Sequence, residues 1–206
     1  YARRHASGSG STTLHDLSDL ERYCYYVAGT VGHLLTDGFL IGAPQTQANA
    51  RRLRQHAEGF GLLLQMTNIV KDVTDDAKRG WCFIPETACE DQQLTSQQLL
   101  DPAHSAAAVR AVDTVNKNAR RFFAEAVSYV VALPKQSEGL RRFCLFPMLL
   151  AAKTLDLALG NTAVVDPSRA VKVSREIVAE TAQLVESILV DDRAIAALTM
   201  STPAEA

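Results

Sequence analysis

No apolar run in this sequence is long enough to cross a bilayer, and no segment alternates with the period of two that a half-buried strand needs. Charge of one sign is just as scarce. The formal net charge is −2, so there is no basic footprint for nucleic acid. No strongly basic amphipathic helix argues for a tight membrane grip, which leaves only peripheral contact with a membrane surface open. The thiols Cys24, Cys82, Cys89 and Cys144 form no CxxC pair, and none stands beside a His at zinc-site spacing. A disulfide framework and a zinc module are therefore both excluded, and the expectation is reduced, partly buried thiols in a cytoplasmic protein. The five histidines make no H-x-x-x-H or E-x-x-H pattern, which argues against a di-iron carboxylate bundle. No Rossmann fingerprint occurs, and the GSGS at Gly8–Ser11 follows no strand, so it reads as a linker.

What remains is helix. The 206 residues, 47% of them hydrophobic, suffice for one domain with a proper core, spanning 1–206 with 1–13 and 200–206 as flexible ends. Asp16 or Ser18 can cap a helix that runs to about Thr36. Its apolar positions Tyr23, Tyr26, Val27, Thr30, Val31, Leu34 and Leu35 recur at helical spacing and predict one broad buried face. Ala28, Gly29 and Gly32 on the same helix allow close approach of another helix or a ligand chain. Gly38–Pro44 breaks the chain, and a long central helix is expected over about 47–76. A connector covers 80–101. Further helices are expected over 104–133, over 137–159 with a possible kink at Pro147, and from Pro167 toward Leu198. The fold class read from this is all-α.

Chemistry concentrates between Phe60 and Pro85, FGLLLQMTNIVKDVTDDAKRGWCFIP. Gln65, Asn68, Asp72 and Asp76 fall three and four residues apart, so a continuous helix would stack them in one polar stripe. Polar groups buried among apolar neighbours need partners, and two ionised carboxylates repel rather than satisfy each other. A hard cation answers both demands. Mg²⁺ prefers oxygen ligands, takes one or two carboxylates from a protein, and completes its shell with water and substrate phosphate. Asp72 and Asp76 would supply carboxylates, Asn68 a water-holding or phosphate-holding amide, and Lys71, Lys78 and Arg79 cations for the far side of a diphosphate. The competing reading is a solvated helix face without a ligand.

GLLLQMTNIVKDVTDDAKRGWCFIP resembles the second aspartate-rich motif of the squalene/phytoene synthases, the head-to-head trans-isoprenyl diphosphate synthases. YCYYVAGTVG, Tyr23–Gly32, resembles that family's other signature segment, and weaker similarity continues through RRFCLFPMLLAAKTL and AVKVSRE. The resemblance covers about residues 15–180, and the YCYYVAG form is closer to the squalene type. It implies an isoprenoid-synthase-type helical bundle, incomplete at its N-terminus. It also implies Mg²⁺-dependent joining of two farnesyl (or geranylgeranyl) diphosphates through a cyclopropyl intermediate, with NADPH required if squalene is the product. By the same resemblance Tyr23, Asp72 and Asp76 are the catalytic candidates. Val27, Val31, Leu35, Leu64, Gln65, Asn68, Lys71 and Arg79 would bind substrate, and Asp72, Asp76 and Asn68 the metal. Taken singly, the aliphatic members of that set are ordinary core residues, and Tyr23 a core aromatic.

The chain departs from the family in carrying no other DxxxD; Asp16 and Asp19 are one residue too close. The expected partners are therefore a prenyl diphosphate and preceding helices of the same fold. No DDxxD occurs, which weakens a head-to-tail prenyltransferase or terpene cyclase. Phytoene or dehydrosqualene synthesis is the alternative product. A non-catalytic helical module that binds lipid or a protein partner is the alternative class. Arg169 and Lys172, near the start of the last helix, are within the set that could reach phosphate, but two basic residues there read most simply as solvated.

Overall fold

The computed structural model describes residues 14–200, and among these there is helix but no extended strand. The flexible ends expected from the sequence, 1–13 and 201–206, lie outside the described residues. Helix α1, Leu17–Cys24, starts where Asp16 accepts a hydrogen bond from the Asp19 amide at 2.9 Å. It runs through a π-helical turn, Tyr25–Gly29, into α2, Thr30–Gly42. Pro44 opens a 3₁₀ segment, Pro44–Asn49, and the central helix α3 follows over Ala50–Lys71. After it come α4, Val73–Lys78, and α5, Glu86–Glu90. Three larger elements complete the bundle: α6, Ser105–Arg120, α7, Phe123–Ala132, and α8, Glu138–Ala158. The last helices are α9, Arg175–Ile188, and α10, Asp192–Ala196.

α3 is the axis. It packs against the π turn, α2, α6, α7 and α8. Leu53, Ala57, Leu62, Leu63, Met66 and Val70 on α3 are buried against Val112 and Val115 of α6, Val130 of α7 and Leu145 and Met148 of α8. A helix with apolar residues around most of its circumference belongs in the middle of a bundle, not on its surface.

The small residues of the Tyr23–Gly32 segment serve this packing. A Cβ added at Gly32 would lie 2.3 Å from the carbonyl oxygen of Ala57, and one at Gly61 would lie 2.5 Å from that of Ala28. Backbone therefore meets backbone where α2 crosses α3. Gly32→Ala is expected to destabilise the fold by about 1–2 kcal/mol, overpacking outweighing the helix propensity gained. A urea midpoint that stays put or rises would show that the two helices separate at no cost.

Several boundaries and faces differ from the sequence expectation. The central helix breaks at Asp72, whose φ of −106° and ψ of 15° leave the α region before α4 resumes. The helix expected over 104–133 breaks after Arg120, and the last one splits at Leu189–Asp191. Pro147, by contrast, sits inside α8 without ending it. The largest correction concerns α2. Tyr26, Val27, Val31, Leu34 and Leu35 do not form a buried face; Leu34 is 70% exposed and Tyr26 65%, and Ile41 beyond them reaches 83%. Periodicity marks that face as apolar, but no described element covers it.

The four cysteines are free thiols, with Cys24, Cys89 and Cys144 buried and Cys82 half-buried. No helix among the described residues is long and apolar enough to cross a membrane.

Candidate active site

The site is built around the joint between α3 and α4. The backbone ladder carries through the break, since the Asp72 amide donates to Asn68 O and the Asp76 amide to Asp72 O, each at 2.9 Å. α4 then stops at Gly80, whose φ of 76° suits glycine. The Trp81 amide donates back to Asp76 O at 3.0 Å and the Gly80 amide to Ala77 O at 3.0 Å, a Schellman turn. That turn folds Trp81, Cys82 and Phe83 over a small apolar recess with Asp76 in its wall.

Asp76 is in consequence the most enclosed of the acids at the joint, its side chain 13% exposed against 36% for Asp72. Burial pushes its carboxyl above the usual range, and the nearby charge of Asp72 adds to the effect, while Arg79 works against it. Tyr23 shares this corner. Its ring stacks on Phe83 with centroids 4.8 Å apart, and its hydroxyl is raised by burial, then by Cys24 and Asp76. Trp81 also packs on Phe83, tilted, with centroids 6.3 Å apart.

Asp72 looks the other way, into a cleft of about 800 Å³. One wall carries Leu64, Asn68, Lys71, Asp72, Asp75 and Lys78. The floor is Pro147, Leu150, Ala151 and Thr154 of α8, and the opposite wall is the segment 167–173, which brings Arg169 and Lys172. Cations thus stand on both walls of a cleft that has carboxylates at its edge and apolar carbon in its floor.

The predicted residues are only partly brought together. Leu64, Asn68, Lys71 and Asp72 share the cleft, while Asp76, Tyr23 and Arg79 meet at its neighbouring corner. Asn68 is exposed and Gln65 half-buried, so the stripe is not the buried one expected of it; Asn68 opens to the cleft and Gln65 does not line it. Val27 of the π turn and Val31 and Leu35 of α2 lie on one uncovered face, and no tunnel among the described residues encloses them. The structure adds Asp75 and Thr154, keeps Lys78 at the cleft, and brings Arg169 and Lys172 to it. The sequence names Arg169 and Lys172 but cannot tie them to the motif, because they are about a hundred residues from it and follow no spacing rule with it.

The donor set suits a hard divalent cation. Asn68, Asp72, Asp75 and Asp76 offer only oxygen toward metal, and the crowding of Asp76 by Asp72 is what a cation would relieve. Among the described residues no three His, Cys, Asp or Glu side chains stand together so that they could hold a metal ion by themselves. An open site that relies on phosphate and water for its remaining ligands is what Mg²⁺ uses.

The family profile described as "Squalene/phytoene synthase" matches residues 4–176. The chain belongs to the squalene/phytoene synthase family. It is 30% identical over 155 residues to squalene synthase of Eremothecium gossypii, covering 75% of this chain and 35% of that protein. It is also 30% identical over 141 residues to 15-cis-phytoene synthase of Enterobacter agglomerans, covering 66% of this chain and 45% of that protein. Among solved structures, that of TcSQS in complex with E5700 superimposes with a TM-score of 0.73 at 27% identity, over 83% of this chain and 49% of that one. The chain therefore spans less than half the length of these relatives. The all-α fold expected from the sequence is that of squalene synthase.

Proposed function

We propose that this chain, as part of a protein of its relatives' length, joins two prenyl diphosphates head to head in a Mg²⁺-dependent reaction, with farnesyl diphosphate as substrate and presqualene diphosphate, then squalene, as products. The observation that carries this reading is the oxygen-donor set of Asn68, Asp72, Asp75 and Asp76 beside a cleft with Lys71, Lys78, Arg169 and Lys172 around it. Membership of the family supports the head-to-head reaction class. Product choice rests on the YCYYVAG form and on Leu155, where the resemblance implies an aromatic in phytoene-type members, since squalene and phytoene synthases are similar to this chain at the same 30% identity.

Asp72, Asp76 and Asn68 would hold Mg²⁺, which when bound supplies Lewis-acid pull on the departing diphosphate. The basic residues on the two cleft walls hold phosphate oxygens by charge-assisted hydrogen bonds and fix the leaving group's orientation. Tyr23 presents an electron-rich ring and a hydroxyl held protonated by its surroundings, fitting it to steady a carbocation or to keep a proton in place. Leu64 on one wall and Pro147 and Leu150 in the floor line the cleft with carbon, which keeps water from the reacting centre. NADPH enters only if squalene is the final product.

The test is product analysis of the longer protein with radiolabelled farnesyl diphosphate, with and without Mg²⁺ and NADPH. Labelled presqualene diphosphate with Mg²⁺ alone, and squalene once NADPH is added, are the expected products. Phytoene from geranylgeranyl diphosphate would reassign the substrate. Lipid binding without any Mg²⁺-dependent product would sink the enzymatic reading in favour of a binding module.

A further inference from the structure

Each aspartate at the α3–α4 joint already holds a cation from its own stretch of chain. Lys71 Nζ stands 2.5 Å from Asp72 Oδ2, Lys78 Nζ 2.7 Å from Asp75 Oδ1, and Arg79 Nη1 3.3 Å from Asp76 Oδ1. The first pair is unusual. Adjacent residues on a continuous helix do not face each other, so Lys71 reaches Asp72 because the helix breaks there, at φ −106° and ψ 15°. Arg79 makes a second contact, its guanidinium carbon 5.7 Å from the centre of the Trp81 ring. The aromatic face gives Arg79 a resting place beside the carboxylate.

We infer that Lys71 and Arg79 are resident counter-cations of this site, occupying in the metal-free protein the carboxylate oxygens of Asp72 and Asp76 that a divalent cation would take, and passing to the diphosphate when metal arrives. The inference rests on the reading proposed above and specifies how the site loads. All three cations are partly exposed, and ion pairs of that exposure contribute little to stability, so displacing them is easy. Both side chains are long enough to swing to a phosphate oxygen while their own backbone stays fixed. An ammonium or guanidinium left beside a bound dication would be repelled by it, whereas an incoming diphosphate gives it a new anionic partner. Metal and diphosphate therefore bind with positive coupling, each strengthening the other by the same factor, and metal alone binds weakly because it must first evict a cation.

Two measurements on the longer protein test this. In the first, electron paramagnetic resonance counts free Mn²⁺ during titration of the protein without diphosphate. Lys71→Gln is expected to bind Mn²⁺ about threefold more tightly than wild type, because a weak competing ion pair is gone. Lys172→Gln, which removes an equal charge that acts on Asp75 only at a distance and occupies no oxygen of Asp72 or Asp76, is expected to shift Mn²⁺ affinity much less. In the second, fluorescence from Trp81, isolated by subtracting a Trp81→Phe control, follows addition of Mg²⁺ and inorganic pyrophosphate. Departure of Arg79 from the indole should change the signal only when both are present, and Arg79→Gln should abolish that change. Equal Mn²⁺ shifts in Lys71→Gln and Lys172→Gln, or none in either, would overturn the counter-cation role while leaving the metal site standing. So would a Trp81 response that survives Arg79→Gln. Absence of Mn²⁺ binding to wild type, with or without pyrophosphate, would remove the metal site and this inference together.

Discussion

Asp76→Asn should cost the longer enzyme about 10²–10³-fold in turnover, the scale lost when one stabilising group for developing charge is removed, and should make the metal-free protein more stable. Both effects have one cause. Asp76 is enclosed by the Schellman turn and by Trp81, Cys82 and Phe83, and its ionised carboxylate is short of water and close to that of Asp72. Arg79, at 3.3 Å and mostly exposed, compensates only in part. An amide of the same shape removes the repulsion and the desolvated charge together, at the expense of the metal. Asp72→Asn should lose comparable turnover without the gain in stability, because Asp72 is more exposed and already paired with Lys71 at 2.5 Å. Kinetics on both variants and thermal melts in the presence of a chelator measure this contrast. An Asp76→Asn protein that melts below wild type, or turns over at the wild-type rate, would contradict the assignment.

That contrast was only half visible in the sequence. The four-residue spacing of Asn68, Asp72 and Asp76 identifies the site residues, because neighbours at that interval share a face wherever the helix is continuous. It does not reveal the break at Asp72, which depends on how α4 is held by its terminal turn and by the segment Thr162–Val165 packed against it. The break sends Asp72 to the large cleft and Asp76 to the aromatic corner, and so decides which acid is strained. The all-α class was legible because the apolar residues of α3, α6 and α7 keep helical spacing over long stretches. The exposure of Val27, Val31 and Leu35 was not, since a hydrophobic pattern records which side of a helix is apolar and not what covers it. Arg169 and Lys172 illustrate the remaining gap. Two basic residues in a loop acquire meaning only when tertiary structure places their loop across from Asp72.

The loop carrying Arg169 and Lys172 leads into α9, and α9 is held to the bundle by a buried arginine that no motif singles out. Arg141 is 1% exposed. Its Nε and Nη2 donate to Leu133 O at 2.9 and 2.7 Å, its Nη1 to Leu189 O at 3.0 Å, and its Nη2 also to Asp192 Oδ1 at 2.6 Å. Leu133 and Leu189 are the C-terminal caps of α7 and α9, so one guanidinium satisfies carbonyls that end two helices and pairs with the first residue of α10. Arg141→Met fills most of the volume but leaves those carbonyls without donors, and should cost about 3–5 kcal/mol in urea unfolding at neutral pH. Arg141→Lys, a point donor that cannot reproduce the fork, should recover only part of that loss. The effect should also depend on pH. Burial pushes the Asp192 carboxyl up, but the hydrogen bond and charge of Arg141, aided by Lys135, more than offset it and hold the group below the usual range. A carboxylate depressed in the folded state contributes stability that is present above its unfolded pKa and lost as pH falls through the folded value. The gap between wild type and Arg141→Met should therefore narrow in acid without closing, because the carbonyl hydrogen bonds do not titrate. A gap that vanishes entirely at low pH would mean that the ion pair, and not the capping of α7 and α9, is what holds the C-terminal end of α9 to the bundle.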